Sequence, residues 1–209
     1  MRKYSFSKHV IIANGQFPTH AIPLEIIRTA QTIICCDGAA DSLMKHSIEP
    51  TVVIGDLDSI SSKAKKQFAG KLIHIAEQET NDQTKAVEWA IAQGLQDLVI
   101  VGATGKREDH TIGNISLLAN YGTQINVCSV TNYGIFCPVY GTTQLTSYPG
   151  QAISIFSLTP HIPISLFGLQ YPLTNTLLKS WWIGTLNTAV SDSFTIESEE
   201  GICIVFRSF

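Results

Sequence analysis

The sequence is poor in the features that mark several large protein classes. Apolar runs are short, as at 10–13, far below the ~20 residues a membrane-spanning helix needs. The start, Met1-Arg2-Lys3, is basic, but the same short run cannot serve as a secretory-leader core. Five cysteines (35, 36, 128, 137, 203) form no C-x-x-C pair, and an odd count speaks against a disulfide framework. The six histidines have no paired metal-ligand spacing, so zinc is not expected. A net charge of −3 gives no bulk attraction to nucleic acid or an anionic membrane. Neither G-x-G-x-x-G, G-x-x-x-x-G-K-[ST] nor G-x-S-x-G occurs, which weakens dinucleotide, Walker-type and serine-hydrolase readings. With 44% hydrophobic residues the chain is no disordered polymer. These absences predict a cytoplasmic, reduced, soluble protein.

What is present is unevenly distributed along 209 residues. Residues 1–125 hold 12 of the 14 basic and 13 of the 17 acidic side chains, so the tail is nearly uncharged. The first part alternates short apolar runs (10–13, 32–36, 51–54, 71–76, 97–101, 124–130) with stretches of helical periodicity (59–69, 82–93, 109–120). In 82–93, Ala86, Trp89, Ala90 and Gln93 share one face, with Val87 beside it. Such alternation predicts an α/β domain, a Rossmann-like mostly parallel sheet with helices on both faces. The tail instead has short β-branched or aromatic runs (135–140, 143–147, 152–158, 164–167, 193–197, 201–206) split by Gly and Pro. These predict an all-β sandwich, and the boundary is set at 1–132 and 133–209.

In a parallel sheet, ligands bind beyond the carboxyl ends of the strands. Acids and amides gather after four of the predicted strands: Asp37 and Asp41; Asp56 and Asp58; Glu77, Gln78 and Asp82; Glu108 and Asp109. Asp56 and Asp58, two apart in extended backbone, would point the same way about 7 Å apart and share a hard divalent cation. A turn with solvated acids, Asp58 or Ser59 capping the next helix, accounts for Asp56 alone equally well, but four acid-bearing strand ends in one domain favour the shared site. Asp82 and Lys85, three apart, share the first turn of a helix, where Asp82 is also a candidate cap. The 102–110 segment combines glycines with Lys106 and Arg107 ahead of a helix, a setting that suits phosphate. Trp181 and Trp182 would face opposite ways if extended, one as a candidate aromatic platform, although packing accounts for both. Cys35 and Cys36 read as buried strand residues.

Taken together, Cys36-Asp37-Gly38-Ala39-Ala40, Gly55-Asp56-Leu57-Asp58-Ser59-Ile60, Gln78…Asp82-x-x-Lys85 and Gly105-Lys106-Arg107-x-Asp109-His110-x-x-x-Asn114 resemble the thiamin pyrophosphokinase family. Gly168-Leu169-Gln170-Tyr171-x-Leu173 is similar to that family's β-domain segment G-L-K-Y-x-L. The resemblance runs in order over nearly the whole chain.

It implies transfer of pyrophosphate from ATP to the hydroxyl of thiamin, with Mg²⁺, AMP as second product, and a homodimer with sites between subunits. It implies Asp37, Asp56, Asp58 and Asp82 as metal ligands, and Lys85 and Arg107 as charge stabilisers for the triphosphate. Gln78, Asp109, His110 and Asn114 would complete the nucleotide site, Asn114 by tying the loop to its helix. Asn187, Leu186, Trp181 and Trp182 would meet thiamin. The chain departs from the family pattern at Ala39, Ala40 and Asp41, at Asn81 before Asp82, and at Leu186, where the family has Ser before Asn187. Transfer to another alcohol such as a hydroxymethylpterin, a noncatalytic nucleotide-binding protein, and a D-x-D glycosyltransferase are the competing readings.

Overall fold

A computed structural model describes residues 6–209. The basic start Met1-Arg2-Lys3, and with it the first five residues of the 1–132 segment, lie outside the described residues. The chain divides into two compact units. One ends at Asn132; the other begins at Tyr133 and also takes in residues 116–122.

The first unit is built on six parallel strands: β1 (His9–Ile12), β2 (Thr32–Cys36), β3 (Val52–Gly55), β4 (Leu72–His74), β5 (Asp97–Val101) and β6 (Asn126–Val130). Their order is β6-β5-β1-β2-β3-β4, with Ile11 in register with both Ile34 and Ile100. Central strands such as Val10–Ile12 and Val52–Ile54 are buried continuously, the pattern of a sheet covered on both faces. The order reverses between β1 and β5, the switch point at which such sheets open a crevice for ligands.

Five helices belong to this sheet: α1 (Ala21–Arg28), α2 (Ala40–Lys45), α3 (Ser62–Gln67), α4 (Asp82–Ala92) and α5 (Glu108–Ser116). The expected helix over 109–120 is two pieces, α5 and a short α6 (Leu118–Tyr121) that goes with the second unit. Two expected caps fall elsewhere. Helix α3 is capped by Ser61, whose Oγ accepts from the Ala64 amide at 3.2 Å, rather than by Asp58 or Ser59. Helix α4 is capped by Asn81, not Asp82, through a 2.9 Å bond from the Thr84 amide. Both capping residues keep extended backbone, which Ncap geometry requires.

The second unit holds two antiparallel sheets. One orders β12 (Asn187–Thr188), β9 (Ala152–Ser157), β14 (Ile202–Ser208) and β7 (Gly134–Tyr140); the other orders β11 (Leu173–Thr176), β10 (Ile164–Phe167), β13 (Ser193–Glu197) and β8 (Thr143–Thr146). Side chains of both sheets, among them Ile153, Ile155, Leu166, Phe194, Ile196 and Val205, form one apolar core, as in a β-sandwich. The fold is thus α/β with a separate β domain. No helix among the described residues is long and apolar enough to cross a membrane.

Candidate active site

The carboxyl ends of β1 to β5 open onto a cleft of about 470 Å³. Its floor is drawn together at the switch point. The Ala13 amide donates to the Val101 carbonyl at 2.9 Å, Gly15 to Gly102 at 2.6 Å and Gln16 to Thr104 at 2.8 Å. A Cβ at position 15 would collide with the Gly102 and Thr104 carbonyls, so glycine is what lets the two loops meet.

Three carboxylates converge at one end of the cleft. Ligand oxygens of Asp37, Asp56 and Asp58 lie within 4.8 Å of one another. The expected extended backbone between Asp56 and Asp58 is absent. Leu57 takes φ +61° and the Asp58 amide donates back to Asp56 Oδ1 at 3.2 Å, so a turn turns both carboxylates toward Asp37. Gln78 Nε2 donates to Asp56 Oδ2 at 2.8 Å, and this bond foremost holds the Asp56 carboxyl down at about 2. Asp37 is fully buried. One of its oxygens accepts from the Ser59 amide at 3.0 Å, while the other, Oδ1, is buried with no hydrogen-bond partner among the described residues. Burial raises its pKa, opposed by the Ser59 bond and reinforced by Asp56 and Asp58. Asp82, half-buried beside the cluster, is pushed up to about 6, first by desolvation and then by the Asp37 charge.

Lys85 answers this negative charge. Its side chain is only 3% exposed, and its Nζ stands 3.8 Å from both Asp82 Oδ1 and Glu77 Oε1. An ammonium so buried must be held by nearby carboxylates, because an isolated charge away from water is costly.

Arg107, which also lines the cleft, is exposed and forked onto Asp109, Nε to Oδ1 at 3.1 Å and Nη2 to Oδ2 at 2.5 Å. This pairing first of all holds the Asp109 carboxyl down at about 2. Asp109 Oδ1 also accepts from the His110 amide at 2.9 Å. Lys106 Nζ reaches Asn14 Oδ1 at 3.1 Å. Asn114 spends its amide within the chain, donating to the Ala103 carbonyl at 2.9 Å and accepting from Asn81 at 3.2 Å.

Asp56, Asp58, Asp82, Lys85, Gln78, Arg107, His110 and Asn114 therefore line one cleft, with Asp37 beneath it and Asp109 holding Arg107 from its side. Asn14, Gly15, Thr80, Asn81 and Thr104, none of them a predicted site residue, line it too. A signal was there: Asn14-Gly15 follows the first predicted strand just as the acidic segments follow the others. Of the departures, Asp41 binds Ser61 through both the amide and the hydroxyl, so it braces the segment between β3 and α3.

The remaining predicted residues lie in the second unit. Trp181 and Trp182 are not extended; they share a 3₁₀ turn, Trp181–Gly184, and both are exposed, at 46% and 75%. Trp181 meets Phe156 edge-on at 6.1 Å. Leu186 is 86% exposed. Asn187 is buried and clips the neighbouring loop: it accepts from the Tyr171 amide at 3.0 Å and donates to the Tyr171 carbonyl at 2.8 Å. The adjacent cysteines, Cys35 and Cys36, are buried with thiol pKa values raised by desolvation, away from nucleophilic chemistry.

Two family models match the chain: the thiamin pyrophosphokinase catalytic domain over residues 24–129, and the thiamin pyrophosphokinase substrate-binding domain over 134–206. The thiamine pyrophosphokinase of Bacillus subtilis is 28% identical over 183 residues, covering 82% of this chain and 85% of that protein. Thiamin pyrophosphokinase 1 of Caenorhabditis elegans is 24% identical over 186 residues, covering 81% and 76%. The fold is similar to the crystal structure of the Bacillus subtilis protein, with a TM-score of 0.77 at 24% identity over 96% of this chain and 98% of that one. It is equally similar to a thiamin pyrophosphokinase family protein from Enterococcus faecalis, at 0.79 and 20% identity over 97% and 99%.

Proposed function

The chain belongs to the thiamin pyrophosphokinase family, a family of pyrophosphoryl transferases, and on that premise we propose that it moves the pyrophosphoryl group of ATP to the hydroxyl of thiamin. Thiamin diphosphate and AMP are the products. The observation that carries this reading is the convergence of Asp37, Asp56 and Asp58 at a cleft that Arg107 and the buried Lys85 also line. The match of the second unit to a thiamin pyrophosphokinase substrate-binding domain favours thiamin over another alcohol.

The transfer has little covalent chemistry for a protein to perform. The alcohol oxygen must line up with the β-phosphorus and the bond to the AMP oxygen, and the charge on the phosphoryl oxygens must be met. The donor set suits Mg²⁺: hard carboxylate oxygens, and in Asp37 Oδ1 a buried acceptor with no hydrogen-bond partner among the described residues. Asp37, Asp56, Asp58 and Asp82 would hold the ion, which when bound neutralises triphosphate charge. Gln78 orients Asp56 for that task. Lys85 supplies a desolvated ammonium, and a charge removed from water acts more strongly on a phosphate. Arg107 binds Asp109 through Nε and Nη2, and the other edge of its planar guanidinium, Nη1 with the second Nη2 hydrogen, fits two phosphate oxygens. Lys106 and His110 border the same end of the cleft, and Asn114 fixes the loop from which Arg107 projects.

We assign nucleotide and Mg²⁺ to residues 1–132, and thiamin and dimerisation to 133–209. Trp181, Trp182 and Leu186 give the second segment an exposed apolar and aromatic surface suited to a thiazolium ring or a twin subunit, while Asn187 shapes the loop beside it. The protein would act as a cytoplasmic homodimer without nucleic-acid or membrane partners. Quantifying AMP and thiamin diphosphate tests the activity, and light scattering tests the dimer: no thiamin-dependent AMP sinks the first, and a fully active monomer sinks the second.

A further inference from the structure

Helix α5 follows directly on the Arg107 loop and carries His110 and Thr111 into the cleft, yet none of its side chains is buried. It includes Gly113 and two residues of modest helix propensity, Thr111 and Asn114. A nine-residue helix of this kind is marginal by itself, and tertiary contacts must hold it.

One residue gathers such contacts. Asn114 receives a hydrogen bond from Asn81 Nδ2 on its side-chain oxygen at 3.2 Å and one from Gln83 Nε2 on its carbonyl at 3.2 Å. Its own Nδ2 donates to the Ala103 carbonyl at 2.9 Å. The amide orientations are fixed at both ends. Asn81 Oδ1 must accept from the Thr84 amide, so its Nδ2 faces Asn114; Asn114 Nδ2 must donate to the Ala103 carbonyl, so its Oδ1 faces Asn81. Asn81 therefore performs two tasks, capping α4 and reaching across to α5. Threonine, another cap former, could supply the cap with its one hydroxyl but lacks a second polar atom for the bridge.

We propose that Asn81 and Asn114 form a positioning pair that sets the distance between the start of α4, with Asp82 and Lys85, and the phosphate-facing loop and helix 102–116. Gln83 is its second tie. The pair acts through Arg107 and Lys85 on a nucleotide triphosphate, and so rests on the function proposed above. It does not touch the reacting atoms.

The test is a double-mutant cycle read as affinity for Mg²⁺ with α,β-methylene ATP by calorimetry, which needs no turnover. Asn81→Thr keeps the cap; Asn114→Ala keeps the helix, since alanine is the better helix former. Asn81→Thr is expected to weaken binding about fivefold and Asn114→Ala about tenfold, with the double variant no weaker than Asn114→Ala alone. KM for ATP should rise in the same order while KM for thiamin holds. The denaturation midpoint of Asn81→Thr should stay at the wild-type value, which separates positioning from a merely structural role. Additive losses, unchanged affinity in either single variant, or a fall in stability with affinity intact would overturn the proposal. If wild type binds the analogue and the cycle is non-additive but no AMP forms with thiamin, the activity is wrong and the positioning pair stands. If wild type does not bind the analogue, both fall.

Discussion

Gly55 closes β3 directly against Asp37: a Cβ built on it would lie 2.6 Å from the Asp37 Cβ and 3.0 Å from Asp82 Oδ1. The missing side chain is what allows acids from three strand ends to approach one another. Gly55→Ala must therefore displace Asp37 or Asp82. The expected cost is about 1–3 kcal/mol of stability, typical of overpacking. Turnover should fall about a hundredfold, because small misplacements of positioning groups are amplified in rate. Urea unfolding and steady-state assays of one preparation check both.

Asp56→Asn and Asp58→Asn should each nearly abolish turnover with the fold intact, because each removes one charge from the proposed cation cluster. Circular dichroism and Mg²⁺ titration of the residual activity are the readouts. Near-normal rates at saturating Mg²⁺ would show that neither carboxylate holds the ion.

Arg107→Lys keeps the charge and loses the fork, so kcat/KM for ATP should drop at least about tenfold while stability stays unchanged. The side chain is 72% exposed and its pair with Asp109 is worth little to the fold, which makes the split between activity and stability diagnostic. Free replacement by lysine would leave Arg107 a surface residue.

Asp82 predicts a pH signature. Its carboxyl is raised from 3.8 to about 6, so between those values the folded chain holds a proton that the unfolded chain has lost. Stability from this group is full below about pH 4 and declines as pH rises through about 6. Without divalent cations, Asp82→Asn should match wild type at about pH 4 and exceed it at about pH 7.5 in urea midpoint. Asp56 works in a lower window: its carboxyl at about 2 stabilises the fold above 3.8, and that contribution goes as pH falls toward 2.

Much of this was legible in sequence because strand ends in a parallel sheet must converge. The runs at 32–36 and 97–101 gave β2 and β5 to the residue, and the acids that follow such runs had to meet at one edge. The turn at Leu57 was legible only as one of two readings. Two aspartates two apart fit an extended segment as well as a turn, and only Asp37 beneath them decides between the two. Capping was misjudged for a related reason, since 58–61 and 81–82 each contain adjacent cap formers of similar strength. Helix α1 escaped because Pro23 and its short length mask the period, β11 because Leu173-Thr174-Asn175-Thr176 holds one apolar residue, and β12 because it is two residues long. The bonds that make Asn81 and Asn114 one unit span 33 positions, and no local spacing announces them.

Pyrophosphoryl transfer to thiamin at the aspartate cleft should leave a product record that no competing reaction shares. Its most direct measurement is product analysis after incubating wild type and Asp58→Asn with ATP, Mg²⁺ and thiamin, and with each component omitted in turn. AMP and thiamin diphosphate are expected in equal amounts from wild type only when all three are present, with almost none from Asp58→Asn. ADP in place of AMP, AMP that forms without thiamin, or an equally active Asp58→Asn would contradict it.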